Sequence, residues 1–480
     1  MTHEYIEIKN PDDLKIFWRY DDNGKIILER WKIKRLLEQE FKTNENNRSE
    51  LLREKRKNIL TIADRTEVIS FILSIVESFP PIIKKFPNGK ELTKEDLEEE
   101  VLKGLNSYFS NDFLSTLKSQ KLQLFKDPID KCCLPFLGKV VVTTMDTIEE
   151  IEYKNFESTF WDKQIIKKEY CKIEYKENDA VFYKFCYKIC NNDTKRLSSL
   201  MTLLGYLMHT YKDPSKAFAV IFTDQEISDN DEAQGGVGKS ILGRALSYVR
   251  RVSYFDGRNQ RVKDINAFSG FERYTEIYLM EDMNKNFNFD SMIQVITGIL
   301  PLKKLWENVD NISFKESGKF CMTCNYIPTG SGGYSEERRQ EYFEVGNYFG
   351  KNKTPLSEFG HRLFDEWDDE EWNKFYAFMI ECVQLYLRHG IISAKKINVV
   401  AKQIIQRTNL DFYNYFHPRF TEGQKVWDKE SELKNFVKLY PDYRRISARQ
   451  FTSWIFQYLR LNNIDYTQEP ADLRKRIIIL

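Results

Sequence analysis

A lysine and a serine stand side by side behind three glycines in the run Ala233-Gln234-Gly235-Gly236-Val237-Gly238-Lys239-Ser240, a grouping suited to gripping a polyphosphate. Successive backbone N–H groups of such a turn can face a β-phosphate. The lysine can reach the β and γ oxygens, and the serine hydroxyl can bind Mg²⁺ at a helix N-terminus. Gly235, Gly236 and Gly238 permit the close approach, and Val237, Lys239, Ser240 and Ile241 complete the set around the phosphates. The usual pattern begins with glycine six residues before the lysine, where this chain has Ala233. An acidic stretch, 224–232, also lengthens the junction between the strand-like residues 218–223 and the helix-like residues 241–249.

Further along, the apolar stretch 276–282 ends in two carboxylates, Glu281 and Asp282. One such group can hold a metal's water shell while its neighbour orients or deprotonates an attacking water, because phosphoryl transfer depends mainly on positioning and charge neutralisation. By position Glu281 suits the metal, together with Ser240, and Asp282 the water, although either carboxylate can fill either role. A third strand-like stretch, 319–324, ends at Asn325, whose amide can hydrogen-bond a γ-phosphate or the water; a turn-forming Asn is the plainer alternative. Arg338 and Arg339 follow two glutamates, and a guanidinium supplied across a subunit boundary can neutralise transition-state charge. Two arginines after two glutamates also describe an ordinary solvated surface.

These groups need elements to carry them, and 480 residues, 41% of them hydrophobic, suffice for about three domains. Lys plus Arg total 73 against 72 Asp plus Glu, so attraction for a polyanion must be local rather than a property of the whole chain. The sequence offers neither an apolar run long enough to span a bilayer nor a basic-then-apolar signal segment at its start, so a cytoplasmic setting without membrane partners is expected. Eight cysteines show no paired framework, and the C-x-x-C formed by Cys321 and Cys324 lacks a second pair, which favours core cysteines over a zinc site.

Residues 11–43 read as a hairpin turning at Asp22-Asn23-Gly24 and then a helix, after which polar residues 42–54 interrupt the pattern. Helical signals return over 61–78 and after Thr93-Lys94-Glu95-Asp96, a capping-box spacing. Residues 138–144 read as a strand and 179–211 as helices that form a collar. The last ninety residues hold 16 Lys or Arg and 9 Asp or Glu, an excess of +7. There a helix opening at Ser447 and a basic hairpin around Arg474-Lys475-Arg476 outline a winged-helix-like module. A basic helical cap used for contacts between copies is the alternative.

The order of Gly-Lys-Ser, Glu281-Asp282, Thr297-Gly298, Lys303-Lys304, Phe314-Lys315, Asn325-Tyr326-Ile327-Pro328 and Arg338-Arg339 resembles the superfamily 3 helicases, in particular the helicase part of poxvirus and bacteriophage primase-helicases. Residues 153–166 and the helix with Leu204-Gly205-Tyr206-Leu207 resemble the collar of that family. The likeness implies an AAA+-type core assembling as a hexameric ring, with ATP and Mg²⁺ between neighbours and single-stranded DNA in the channel. It also implies that Lys239, Ser240, Glu281, Asp282 and Asn325 serve their own subunit's nucleotide and that Arg338 or Arg339 serves the neighbour's. Lys303, Lys304, Trp306 and Lys315 occupy the place of the family's channel hairpin, where cations would meet phosphates and an aromatic could stack on a base.

The expectation is therefore an α/β protein: an AAA+-type P-loop ATPase core with a helical N-terminal collar and a small α+β, winged-helix-like C-terminal domain. Its divisions are a mostly helical region 1–100, a helical collar 101–212, the ATPase domain 213–375 and a DNA-binding module 376–480. The expected activity is ATP-dependent DNA unwinding or translocation in the replication of a phage, virus or mobile element, in the host cytoplasm, with a primase or polymerase as a further partner. Two alternatives are an initiator or loader ATPase that does not unwind processively, and a nucleotide-binding scaffold with little turnover.

Overall fold

A computed structural model describes residues 14–21, 25–45, 47–87, 89–121, 125–173, 176, 179–227, 236–258, 267–303, 309–330, 334–468 and 476–480. The chain forms two compact units. The first comprises Met1–Phe125, Gly138–Val140 and Ile151–Ile165; the second comprises Lys126–Leu137, Val141–Glu150 and Ile166–Leu480.

In the first unit β1 (Trp18–Tyr20) and β2 (Ile26–Leu28) pair antiparallel. Helix α1 (Arg30–Glu40) then buries Ile33, Leu36 and Leu37, one face at helical spacing. Next come β3 (Phe41–Asn44), β4 (Asn47–Arg56), β5 (Ile59–Ala63), α2 (Arg65–Glu77), β6 (Ile82–Lys85), β7 (Glu91–Thr93) and α3 (Lys94–Lys103). The Thr93 hydroxyl and Asp96 carboxylate cap α3 reciprocally, as the spacing predicts. Short helices α4 (Leu105–Tyr108) and α5 (Asn111–Leu114) lead to β8 (Ser119–Gln120); after β9 (Cys132–Pro135), and β10 (Lys139–Thr143) and β11 (Ile148–Glu152), whose residues are divided between the units, comes β12 (Phe160–Trp161). A five-stranded sheet in the order β12-β5-β4-β3-β8 results.

That sheet corrects the expectation of a mostly helical region 1–100. Of β4's ten residues only Leu51 and Leu52 are buried, so the segment reads as polar and carries no period for a sequence pattern to reveal. The expected boundary at 100 moves as well, because residues 101–125 and 151–165 belong to the first unit.

The second unit is built on α6 (Val181–Ile189), α7 (Thr194–Met208) and a parallel sheet. In chain order follow β13 (Ala219–Asp224), α8 (Lys239–Ser247), β14 (Val252–Asp256), β15 (Ile277–Met283), α9 (Asp290–Thr297), β16 (Leu300–Leu302), β17 (Asp310–Ile312), β18 (Lys319–Cys324), α10 (Tyr334–Glu337), β19 (Gln340–Val345), α11 (Pro355–Phe359) and α12 (Asp369–His389). Strands β14-β15-β18-β13-β19 lie side by side in that order, all parallel. Both faces are covered: Val220, Phe222, Ile277 and Leu279 join the core with α6, α7 and α12, while Ile221, Tyr278, Met280 and Met322 join a second core with Phe289 and Met292. Double coverage explains why these strands read as continuous apolar runs.

Helix α12 crosses the expected boundary at 375. Its buried stripe from Trp372 to Val383 belongs to the same core as α7, so the cut would divide a single packed helix. Gly205 of α7 permits that packing, since a Cβ there would lie 2.2 Å from the Cys382 carbonyl oxygen.

Beyond α12 come α13 (Val399–Arg407), α14 (Leu410–Thr421), β20 (Val426–Asp428), α15 (Lys429–Leu439), α16 (Ala448–Leu461), β21 (Tyr466–Gln468) and β22 (Arg476–Ile479). The three strands form an antiparallel sheet, β20-β22-β21. An aromatic core holds these elements together, with Trp427 stacked on Phe416 at 4.0 Å and Phe412, Phe436, Phe451 and Tyr458 around them. Arg474 and Lys475 lie outside the described residues. Among those described, no helix is long and apolar enough to cross a membrane.

At the amino ends of β15 and β18 sits a buried ionic cluster. The Arg250 guanidinium bridges Asp127 at 3.0 Å and Glu276 at 3.1 Å and donates to the carbonyls of Met208 and Cys133. Nearby, Lys212 Nζ donates to Ser317 Oγ at 2.6 Å and to the Gly318 carbonyl, and Lys126 donates to the Ser317 carbonyl. Burial pulls Lys212 down to about 7, helped by the charge of Lys126, and burial pulls Lys126 down to about 8 against the pull of Glu276 and Asp127. Below the ordinary lysine value of 10.5 the unfolded chain takes up protons that the fold still refuses, so stability falls as pH falls from about 10 towards 7. Lys212→Met removes one such group and should make that fall shallower, as read from urea midpoints at several pH values. The lost hydrogen bonds to Ser317 and Gly318 shift every midpoint alike and leave the slope as the readout.

Candidate functional site

Lys239 opens α8, and Gly238 before it is the N-cap with φ +116°. A Cβ at Gly238 would lie 2.7 Å from Cζ of Phe185 in α6, so the turn presses on the helical layer and admits no side chain there. Gly236 has φ +102° with nothing within 4 Å, Val237 is buried, Ser240 is exposed and Ile241 is half-buried. Gly235, with Ala233 and Gln234, lies outside the described residues.

The Lys239 side chain is 9% exposed, and its amine is already engaged. It forms an ion pair with the Asp224 carboxylate at the end of β13 and donates to Asn325 Oδ1 at 2.6 Å, just past β18. Parallel pairing of Thr223 with Cys324 makes these two partners neighbours. The motif lysine and the amide after the third strand, inferred separately from sequence, are thus in direct contact. Asp224 had been read only as the start of an acidic insert.

Glu281 and Asp282 lie at the carboxyl end of β15, next to β18, where the register shifts between Met280 and Met283. Asp282 takes a left-handed conformation, φ +51°, which Asp tolerates better than most residues. Its N–H donates to Thr323 Oγ1 at 3.1 Å, and its carboxylate pairs with the exposed Arg258. A regular strand would send adjacent residues to opposite faces; the bulge breaks that alternation at this pair. Burial raises the Glu281 pKa, and the Asp282 charge adds to the rise. Gly257 allows the loop after β14 to close on this bulge, donating to the Glu281 carbonyl at 2.7 Å.

Other expected residues lie elsewhere. Arg338 and Arg339 precede β19 and so stand at the amino end of the sheet, opposite Lys239. Arg339 is half-buried and donates to the Ala217 carbonyl at 2.9 Å, whereas Arg338 is exposed. Strands β16 and β17 do form a hairpin, with Leu302 opposite Asp310, and Lys303 starts its tip; Lys304 and Trp306 lie outside the described residues. Lys315 is not on the tip. The Leu300–Ile312 pair closes the base of the hairpin, leaving Lys315 beyond it in the turn before β18. Cys321 and Cys324 fall in different cores on opposite faces of β18, because residues three apart on a strand point opposite ways.

Missing from the expected set was Lys402 of α13. It is 8% exposed and donates to the backbone carbonyl of Asp224. Its only sequence signal is a charged position between apolar residues of a helix.

Lys239 with its partners Asp224 and Asn325, and the Glu281 and Asp282 carboxylates, thus stand at the carboxyl ends of three neighbouring parallel strands, beside a helix N-terminus. The cationic and N–H donors suit phosphate oxygens. The Ser240 hydroxyl and the Glu281 and Asp282 carboxylates are oxygen donors of the kind a hard divalent cation takes.

Neither a family model nor a curated protein matches the chain. Solved structures that do match include "The A form apo structure of NrS-1 C terminal region-CTR", with 11% identity, 90% of this chain and 93% of that one covered, and a TM-score of 0.38. Another is the same region as residues 305–718, with 13% identity, 93% and 98% covered, and a TM-score of 0.42.

The two glycines should differ in their tolerance. Gly238→Ala meets both an unfavourable φ and the Phe185 ring, so it should destabilise by about 2–4 kcal/mol. Gly236→Ala meets only the φ, at about 1–2 kcal/mol. Thermal unfolding of both variants checks the order.

Proposed function

We propose that this chain is an ATP-dependent DNA helicase or translocase that works as a ring on single-stranded DNA during replication of a phage, virus or mobile element. The observation that carries the reading is the contact of Lys239 with Asn325, on the same carboxyl edge of β13, β15 and β18 as the Glu281-Asp282 bulge. Ligands of open parallel sheets bind at that edge. ATP phosphates would lie on the first turn of α8 against Lys239, with Mg²⁺ held by Ser240 and one of the two carboxylates. An AAA+-type core is the finer reading of the sheet, whose first strand lies between the fourth and the fifth and is followed by a Gly-rich turn and a helix. The helix, strand, two helices and hairpin of α14 to β22 support a winged-helix-like DNA-binding module. Lys303, Lys304 and Trp306 remain the candidates for contact with the strand in the channel, and a primase or polymerase the candidate partner.

One observation favours the low-turnover alternative: Lys239 is closed on Asp224, which phosphates must displace. DNA-stimulated hydrolysis separates a motor from such a scaffold, and strand displacement separates a helicase from a loader.

Lys239→Ala should reduce ATP hydrolysis at least ~100-fold, since the lysine meets the charge that phosphoryl transfer develops. Hydrolysis at the parent rate would remove the site from consideration. Arg338 is the better candidate to act on a neighbour, because it is exposed whereas Arg339 is half-buried. Arg338→Ala should be inactive alone yet regain part of its activity in rings mixed with Glu281→Gln subunits; no recovery at any mixing ratio would exclude action across the interface.

A further inference from the structure

Helix α13 stands between two cores. Val399 belongs to the apolar core on one face of the parallel sheet, and Ile404 to the aromatic core of α14 to β22. Its start is fastened to the sheet: the Glu344 carboxylate of β19, 2% exposed, accepts from the N–H groups of Ile397 and Asn398, the latter at 2.7 Å. Asn398 Nδ2 donates to the Gln225 carbonyl at 2.9 Å. One turn later Lys402 reaches Asp224, so two ammonium groups grip one residue, Lys239 at the carboxylate and Lys402 at the carbonyl.

A lysine is rarely buried without a charged partner, and among the described residues Lys402 has one carbonyl for a group with three donors. Burial lowers the Lys402 pKa; Asp224 and Glu344 oppose that, while Lys239 adds to it. Two ammonium groups thus converge on Asp224, with Glu344 as the second buried carboxylate nearby, at the place where the sheet would receive a polyphosphate.

We propose that Lys402 is a second phosphate-binding cation of this site, and that through α13 it carries nucleotide occupancy to the C-terminal module. The inference rests on reading the site as a triphosphate site. The Asp224 carboxylate acts as a resident anion on Lys239, and its backbone carbonyl holds Lys402, until phosphate oxygens replace them. Lys402 then exchanges a carbonyl for a charged acceptor. Because α13 is packed into both cores, any movement of Lys402 towards the phosphates is felt by α14 to β22.

Calorimetry of the full chain with ATPγS and Mg²⁺ tests this. Lys402→Met should weaken binding about tenfold, the loss of one charge-assisted hydrogen bond, and should reduce its salt dependence. Lys402→Arg should stay within about threefold of the parent, and Asp224→Asn should bind more tightly, because the competing anion is gone. A purely structural lysine would leave the salt dependence of binding at the parent value. Hydrogen exchange adds a second readout: ATPγS should alter exchange in α13 of the parent and not of Lys402→Met. Parent-like affinity in Lys402→Met overturns the inference while leaving the triphosphate site intact; a parent chain that takes up no nucleotide overturns both. Should Lys402→Met fail to fold, parent-like affinity and salt dependence in Lys402→Gln overturn it.

Discussion

An ammonium group sunk beside the positive end of a helix dipole needs negative charge close by, and that need organises the carboxyl edge of the parallel sheet. Lys239 meets it with Asp224 and Asn325, which belong to different strands and become neighbours only because β13 and β18 pair in parallel. Strand order, register and charge balance therefore depend on one another: a slip of one residue between β13 and β18 would leave the lysine without its amide. The tight turn before it depends on the same layer, since Gly238 rests on Phe185 of α6.

The opposite edge of the sheet is held by another device. There Arg250 is satisfied by two carboxylates and by carbonyls from segments far apart in sequence. Burial works against its charge, but Glu276 and Asp127 outweigh it and hold its pKa above the ordinary guanidinium value. One edge holds its amine on a carboxylate and an amide; the other locks its cation between two carboxylates. Between them lie two apolar cores that need no specific chemistry beyond alternation along each strand.

Much of this was legible in the chain. The strand, glycine turn and helix around Lys239, the strand carrying Glu281 and Asp282, and the strand before Asn325 all read as apolar runs because both sheet faces are covered. The reciprocal cap at Thr93 and Asp96 and the helix opened by Ser447 were visible because capping is local. What escaped depended on distant contacts. β4 is too exposed to show a pattern, the bulge at Asp282 is a matter of backbone register, and Lys315 was placed by chain order when hairpin register decides. Asp224 and Lys402 became site residues only once pairing and packing had brought them to Lys239.

The Arg250 cluster bears on where this protein can be divided. A piece excised at the start of β13 would keep Glu276 but lose Asp127 and the carbonyls of Cys133 and Met208, stranding a guanidinium that is 1% exposed in the intact chain. The smallest autonomous piece around the sheet must therefore carry the stretch from Lys126 onward, and the parallel sheet has no clean amino-terminal seam at 212.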